Sequence, residues 1–125
     1  MRETLILFAH GARDPAWAGP LERLREAIRL RDPVMSVHLA FLEFLTPSLP
    51  EAIDLAVAEG AGRIDIVPVF LAQGGHVRRD VPVMLEAAKA RHPEVEIHLQ
   101  GVVGEAQDVI DAMAVAVLAE TTRLL

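Results

Sequence analysis

Two rhythms of apolar and polar positions alternate along the chain, and each switch between them marks an element. Thr4 to Ala9 is a short, unbroken apolar run stopped by His10-Gly11, which predicts a buried strand. From Pro15 to Leu30 the apolar residues Trp17, Leu21, Leu24 and Ile28 recur at helical spacing with Arg and Glu between them. Asp32-Pro33 ends that helix. Met35 to Leu42 is a second strand. Ser48-Leu49-Pro50-Glu51 then has the form of a capping box with proline in the first turn, opening a helix that carries Leu49, Ile53, Leu55 and Val57 and stops at Gly60. Ile64 to Leu71 predicts a third strand. Pro68 within it lacks the N–H that a central strand needs, so an irregularity is expected there. Asp80 has the position of an N-cap, with Pro82 in the first turn, Leu85 and Ala88 on the buried face and His92-Pro93 at the end. Val95 to Leu99 is a fourth strand, and Glu105 to Leu118 a last amphipathic helix.

The order β-α-β-α-β-α-β-α implies an α/β fold: a four-stranded parallel sheet with helices on both faces and right-handed crossovers. No internal repeat or linker divides the chain, so residues 1–125 are expected to form one domain. Composition narrows the functional classes. A hydrophobic share of 52% against 24% charged residues excludes a disordered chain. The absence of cysteine removes disulfide scaffolds, zinc–thiolate sites, iron–sulfur clusters and thiol nucleophiles. With four Phe, one Trp and no Tyr there is little for a nucleic-acid stacking platform, and a net charge of −6 disfavours phosphate-backbone binding. No apolar run is long enough to span a membrane, and the five apolar residues after Arg2-Glu3 and Thr4 are too few for a signal peptide. A soluble cytoplasmic protein with neither nucleic-acid nor membrane partner is the expectation.

Parallel sheets bind ligands just beyond the carboxyl ends of their strands. His10 follows the first strand, Glu43 the second, the loop Gln73-Gly74-Gly75-His76 the third, and Gly101 to Gly104 the fourth. Two histidines and a carboxylate thus converge on one rim, whereas His38 and His98 fall inside strands and His92 on the opposite rim. Neutral imidazole with carboxylate suits a divalent first-row metal, and so few ligands leave coordination positions open, as catalysis or metal delivery requires. Gly11, Gly74 and Gly75 permit sharp bends and close approach of a ligand. Arg13, Arg78 and Arg79 crowd the same rim in an otherwise acidic chain, an arrangement fitted to a substrate with several carboxylates. Each residue also has a plainer role open to it: a solvated loop histidine, an edge carboxylate turned to water, an Arg13–Asp14 pair.

Taken together, these residues resemble a known family. Leu7-Phe8-Ala9-His10-Gly11-Ala12-Arg13-Asp14-Pro15 is similar to the opening of the small sirohydrochlorin cobaltochelatases, class II tetrapyrrole chelatases. Ala40-Phe41-Leu42-Glu43 with Pro47-Ser48-Leu49 is similar to their second motif. Val67-Pro68-Val69-Phe70-Leu71 with Gly74-Gly75-His76-Val77 and Asp80-Val81-Pro82 is similar to the third. The resemblance implies a single chelatase-like domain that inserts Co²⁺ into sirohydrochlorin for cobalamin biosynthesis, with Fe²⁺ or Ni²⁺ as the metal in relatives. It implies His10 and His76 as metal ligands and, less directly, Glu43. It implies no cofactor beyond the metal substrate. Short members of the family are expected to pair as homodimers. Ala12 stands where the family usually has serine, so any hydroxyl contact there is missing.

The expected chemistry exchanges two pyrrole protons for one divalent ion. His10 and His76 would bind the metal, Glu43 would complete its shell or relay a proton, and Arg13, Gly74, Gly75, Arg78 and Arg79 would hold the tetrapyrrole. Because imidazole binds metal only when neutral, insertion should fall as the medium acidifies. Rival readings are fewer. A histidine phosphatase needs arginine before the His-Gly pair, and here that position is Ala9. A flavodoxin-like binding module would use Gly74-Gly75 as a phosphate-cradling nest, but a full dinucleotide fingerprint is absent, since Gly101 to Gly104 is not followed by a further matching glycine. A non-catalytic metal carrier would use the same histidines and ignore the tetrapyrrole.

Overall fold

A computed structural model describes residues 2–124, with the side chains of all except Arg2, His76 and 122–124. Four parallel strands, β1 (Arg2–Ala9), β2 (Ser36–Phe41), β3 (Ala61–Pro68) and β4 (Glu96–Leu99), form one sheet in the order β2-β1-β3-β4. Four α-helices follow the strands: α1 (Gly19–Arg31), α2 (Leu49–Ala58), α3 (Gly75–Arg91) and α4 (Gln107–Leu124). Short 3₁₀ turns at Pro15–Ala18 and Val103–Glu105 precede α1 and α4.

The apolar run of β1 reads as continuous because both of its faces are covered. Ile6 and Phe8 join the core under α2 and α3, whereas Leu7 packs with Leu21 of α1 and with Val37, Leu39 and Phe41 of β2. α2 begins at the expected capping box. The Ser48 N–H donates to Glu51 Oε1 at 2.9 Å, and the Glu51 N–H donates to Ser48 Oγ at 3.3 Å. The Ser48 backbone N–H, first, and its hydroxyl hold the Glu51 carboxyl below its ordinary range. Of the apolar residues expected to line α2, Leu49 and Ile53 are buried but Leu55 is exposed. Ala52 and Ala56 complete the buried stripe instead, since they lie at the three- and four-residue spacings from Leu49 and Ile53.

Pro68 causes no break in register, contrary to expectation. It is the last residue of β3. The Val69 N–H bonds back to Phe8 O at 2.7 Å, so the proline nitrogen faces the β4 side, where pairing has already ended at Ile66–Leu99. No ladder bond is lost.

The third helix differs more. It starts at Gly75 with Gly74 as N-cap, so Asp80 is not a cap and Pro82 lies inside the helix. Val77, Val81, Leu85 and Ala88 form one continuous buried stripe from the first turn onward. Their burial, about 1.5–3 kcal/mol for each large side chain, outweighs the single backbone bond removed by the proline.

α2 and α3 are tied at the rim opposite the strands' carboxyl ends. Asp54 Oδ1 lies 2.8 Å from His92 Nε2 and accepts from Arg91 at 3.2 Å. The His92 hydrogen bond, chiefly, then Arg91, hold the Asp54 carboxyl below its ordinary value. A carboxyl depressed in the folded state stabilises above its unfolded value and loses that contribution as pH falls through the folded one. Asp54→Asn should therefore lower the melting temperature by roughly 2–4 °C at pH 7, with the deficit closing as the medium is acidified through the carboxylate range. Thermal melts at a series of pH values check this.

α4 forms as expected, but of the two roles open to it, a subunit interface or packing on the sheet, it does not take the second. It touches little besides the turn before it, and Val115 and Val117 are 70% and 62% exposed. The sheet explains why. The face of β3 and β4 away from α2 and α3 carries a polar network: Arg63 donates to both Asp65 oxygens at 3.1 and 3.2 Å, Gln100 donates to Asp65 at 2.8 Å, and Arg63 lies 3.7 Å from Glu96. Such a face offers no apolar bed for a helix. The linker also fixes the exit direction. Val102 is buried, the Gly104 N–H bonds to Phe70 O at 2.8 Å, and a Cβ on Gly104 would run into the Phe70–Leu71 backbone. Among the described residues no helix is long and apolar enough to cross a membrane.

Candidate functional site

Because β1 is central, the residue that leaves its carboxyl end, His10, stands over the middle of the sheet. Its ring stacks on Phe70, centroids 4.2 Å apart and planes 27° from parallel, and Phe70 in turn packs on Phe8 at 5.6 Å. A buried phenyl ring thus fixes the imidazole plane while its nitrogens stay at the exposed rim. The other described histidines each face a carboxylate: His38 to Glu59 at 3.0 Å, His92 to Asp54 at 2.8 Å, His98 to Glu96 at 3.9 Å. His10 has no such partner among the described residues, and its nitrogens are available to a ligand.

Glu43 is brought beside it through the backbone. The Glu43 N–H donates to His10 O at 3.0 Å, one step beyond the Leu42 N–H to Ala9 O bond that prolongs the β1–β2 ladder. Gly11 makes this approach possible. Its φ is +86°, and a Cβ there would collide with the Glu43 carbonyl. Here the glycine serves a close backbone crossing rather than the approach of a ligand. The Glu43 side chain is exposed.

The other site residues predicted from sequence sit on the same end of the sheet. His76 is the second residue of α3, in a helical first turn rather than a loop; its side chain lies outside the described residues. Among the described residues no three His, Asp or Glu side chains gather as a metal would require. Gly74 and Gly75 have ordinary negative φ or helical geometry, so no sharp bend requires glycine; a Cβ on either would meet nothing within 4 Å, which leaves open space beside the helix start. Arg78 and Arg79 belong to the exposed surface of α3's first turns. Arg13 does not pair with Asp14, whose carboxylate caps the following turn by accepting the Ala16 N–H at 3.0 Å. Its guanidinium lies over the Phe44 ring instead, 4.8 Å from the centroid.

Three aromatic residues at this rim carry no site signal in the sequence. Phe70, which its apolar run places within the third strand, lies beyond Pro68, where β3 ends, and forms the floor beneath His10. Trp17, expected on the helical stripe, is 72% exposed in the turn before α1. It borders an apolar groove of about 300 Å³ with Ala9, Pro20, Leu21, Leu24 and Val69. Phe44 is 55% exposed and adopts φ +68°, a left-handed conformation costing a bulky side chain on the order of 1–2 kcal/mol. The charged Glu43 within Phe41-Leu42-Glu43-Phe44-Leu45 was the available signal that this stretch leaves the sheet.

These features define an α/β domain with an open, aromatic and arginine-edged rim around an imidazole that faces no carboxylate among the described residues. Comparison with known proteins gives that class its family. The CbiX family model matches residues 4–119, and the chain belongs to the CbiX family. It is 39% identical over 90 residues to a sirohydrochlorin cobaltochelatase of Methanocaldococcus jannaschii, covering 72% of this chain and 63% of the relative. It is 40% identical over 83 residues to that of Methanococcus aeolicus, covering 66% and 58%. The matched segment thus spans about three-fifths of these relatives' length. Among solved structures, a protein described as a cobalamin (vitamin B12) biosynthesis CbiX protein from Marinobacter aquaeolei VT8 superposes with a TM-score of 0.83 at 33% identity, covering 97% of this chain and 98% of that one. The sirohydrochlorin chelatase SirB of Bacillus subtilis subspecies spizizenii, solved in complex with cobalt, shares the fold at a TM-score of 0.77 and 23% identity; the match covers 90% of this chain and 48% of SirB.

Proposed function

We propose that this protein is a sirohydrochlorin chelatase that inserts Co²⁺ into the macrocycle. The observation that carries this reading is His10: an imidazole stacked on a buried phenyl ring at the carboxyl end of the central strand, without the carboxylate that each other described histidine faces. Family membership and the names of the relatives supply the substrate class.

In this reading His10 and His76 receive the metal through neutral nitrogens, and Glu43, adjacent through its backbone, completes the shell or takes a pyrrole proton. Arg13, Arg78 and Arg79 hold the macrocycle's peripheral carboxylates, and the space beside Gly74 and Gly75 admits its edge. Atoms balance: one divalent ion enters as two pyrrole protons leave. The metal is a substrate, and no further cofactor is required. Two imidazoles and a carboxylate accept Fe²⁺ and Ni²⁺ as well, so cobalt rests on the relatives rather than on the ligand set. Incubation with sirohydrochlorin and each of Co²⁺, Fe²⁺ and Ni²⁺, followed by visible absorbance, tests the reading. Metal binding without any change in the tetrapyrrole spectrum would favour a carrier.

The working unit in this reading is a homodimer in the cytoplasm. A helix apolar on nearly every side is normally buried, and Met113 to Ala119 of α4 are seven consecutive apolar residues on an exposed helix. A facing copy would cover α4 and close the open rim. Met113→Asp combined with Val117→Asp should yield a monomer in analytical ultracentrifugation. A wild-type protein that sediments as a monomer at micromolar concentration would refute the dimer.

A further inference from the structure

Phe44 is the one residue other than glycine with positive φ among the described residues. It is the centre of a tight turn in which the Leu45 N–H donates to Glu43 O at 2.8 Å, two residues back. With φ at +68° this is the left-handed γ-turn, a rare and strained geometry for any side chain and more so for an aromatic one. Glycine or asparagine would occupy it more easily. The ring does not earn its place by packing, because more than half of it faces solvent.

What the strained turn does is aim. It is joined to the site through Glu43, whose N–H is bonded to His10 O and whose carbonyl sits over Gly11. It holds an exposed phenyl ring at the rim, next to the strand end that carries His10, and brings it under the Arg13 guanidinium. An exposed aromatic held against its own conformational preference is a signature of a binding surface rather than of a core. The arginine, steadied on the ring, has no carboxylate partner among the described residues, so its donors remain available for one.

We propose that Phe44 and Arg13 act as one substrate-positioning unit, the phenyl ring contacting the flat face of the tetrapyrrole and the guanidinium gripping a carboxylate at its edge. This inference rests on the chelatase reading and adds the residue pair that sets the macrocycle's register over His10. The ring supplies an apolar, polarisable face to a flat conjugated ligand, and its stacking limits the rotamers that Arg13 samples before binding.

Titration with metal-free sirohydrochlorin, followed by visible absorbance, tests it. Phe44→Gly and Phe44→Asn both fit the left-handed turn and should melt within about 5 °C of the parent. Each should bind Co²⁺ alone as the parent does, yet bind sirohydrochlorin about tenfold more weakly, with the loss appearing in KM more than in kcat. Phe44→Tyr, which keeps the ring, should restore affinity. Arg13→Met should weaken binding in the parent but much less in Phe44→Gly, because the two act together. Parent-like sirohydrochlorin affinity in both Phe44→Gly and Phe44→Asn would overturn the inference and leave the chelatase reading standing. Equal loss of Co²⁺ and tetrapyrrole binding would also overturn it, by showing that the ring merely holds the loop. A parent protein that binds no sirohydrochlorin would overturn both.

Discussion

His10→Ala is expected to reduce cobalt insertion into sirohydrochlorin by at least about 100-fold while leaving the protein folded. The imidazole is exposed, contributes no hydrogen bond to the described structure and lies on Phe70 rather than within the core. Its loss therefore removes a ligand without removing packing of comparable size. His76→Ala should have a similar effect, since a site of so few protein ligands retains a labile ion poorly once either is gone. His98→Ala is the control. That histidine is the same residue type, but it sits beside Glu96 in the polar network on β4. Its removal should change insertion by less than about twofold. Circular dichroism verifies folding, and the visible spectrum of the product reports the rate. Equal rates in parent and His10→Ala would exclude His10 as a ligand.

The second large effect lies at a residue with no chemistry. Gly11→Ala should destabilise the protein by about 2–4 kcal/mol, a fall in melting temperature of roughly 8–15 °C, and should suppress insertion even where the protein stays folded. Two costs combine. A φ of +86° is unfavourable for alanine, and the new methyl group would collide with the Glu43 carbonyl. Relief requires the 43–45 turn to move, which displaces Glu43 and Phe44 together. Gly60→Ala separates these costs. It has φ +96° but nothing within 4 Å of a built Cβ, so only the conformational part remains, about 1 kcal/mol. If the two variants melt alike, the close crossing at Gly11 is not what holds the rim together.

Much of the architecture was legible in the chain because each element declares itself locally. The β1 run Thr4 to Ala9, the Ser48–Glu51 box and the Asp32-Pro33 stop all appear where their residues predicted. The errors share one cause, namely that burial is not a local property. Asp80 and Pro82 looked like a helix start because nothing in the local sequence reveals that Val77 is already in the core. Pro68 looked disruptive because its neighbour strand's length was not visible from its own position. A place on the sheet stayed open to α4 because the polar face it would have covered is assembled from two separate stretches, β3 and β4.

The site divides the same way. Sequence alone determined the residue types and their place beyond the carboxyl ends of parallel strands, and hence the end of the sheet to which the backbone of His10, Glu43, His76 and the arginines belongs, because strand direction follows from element order. Only the tertiary structure decided that His10, among the described histidines, faces no carboxylate, that Phe70 lies beneath it, and that Phe44 turns outward beneath Arg13. Those facts depend on contacts between residues far apart in the chain, and long-range contact is a property that periodicity and spacing do not encode.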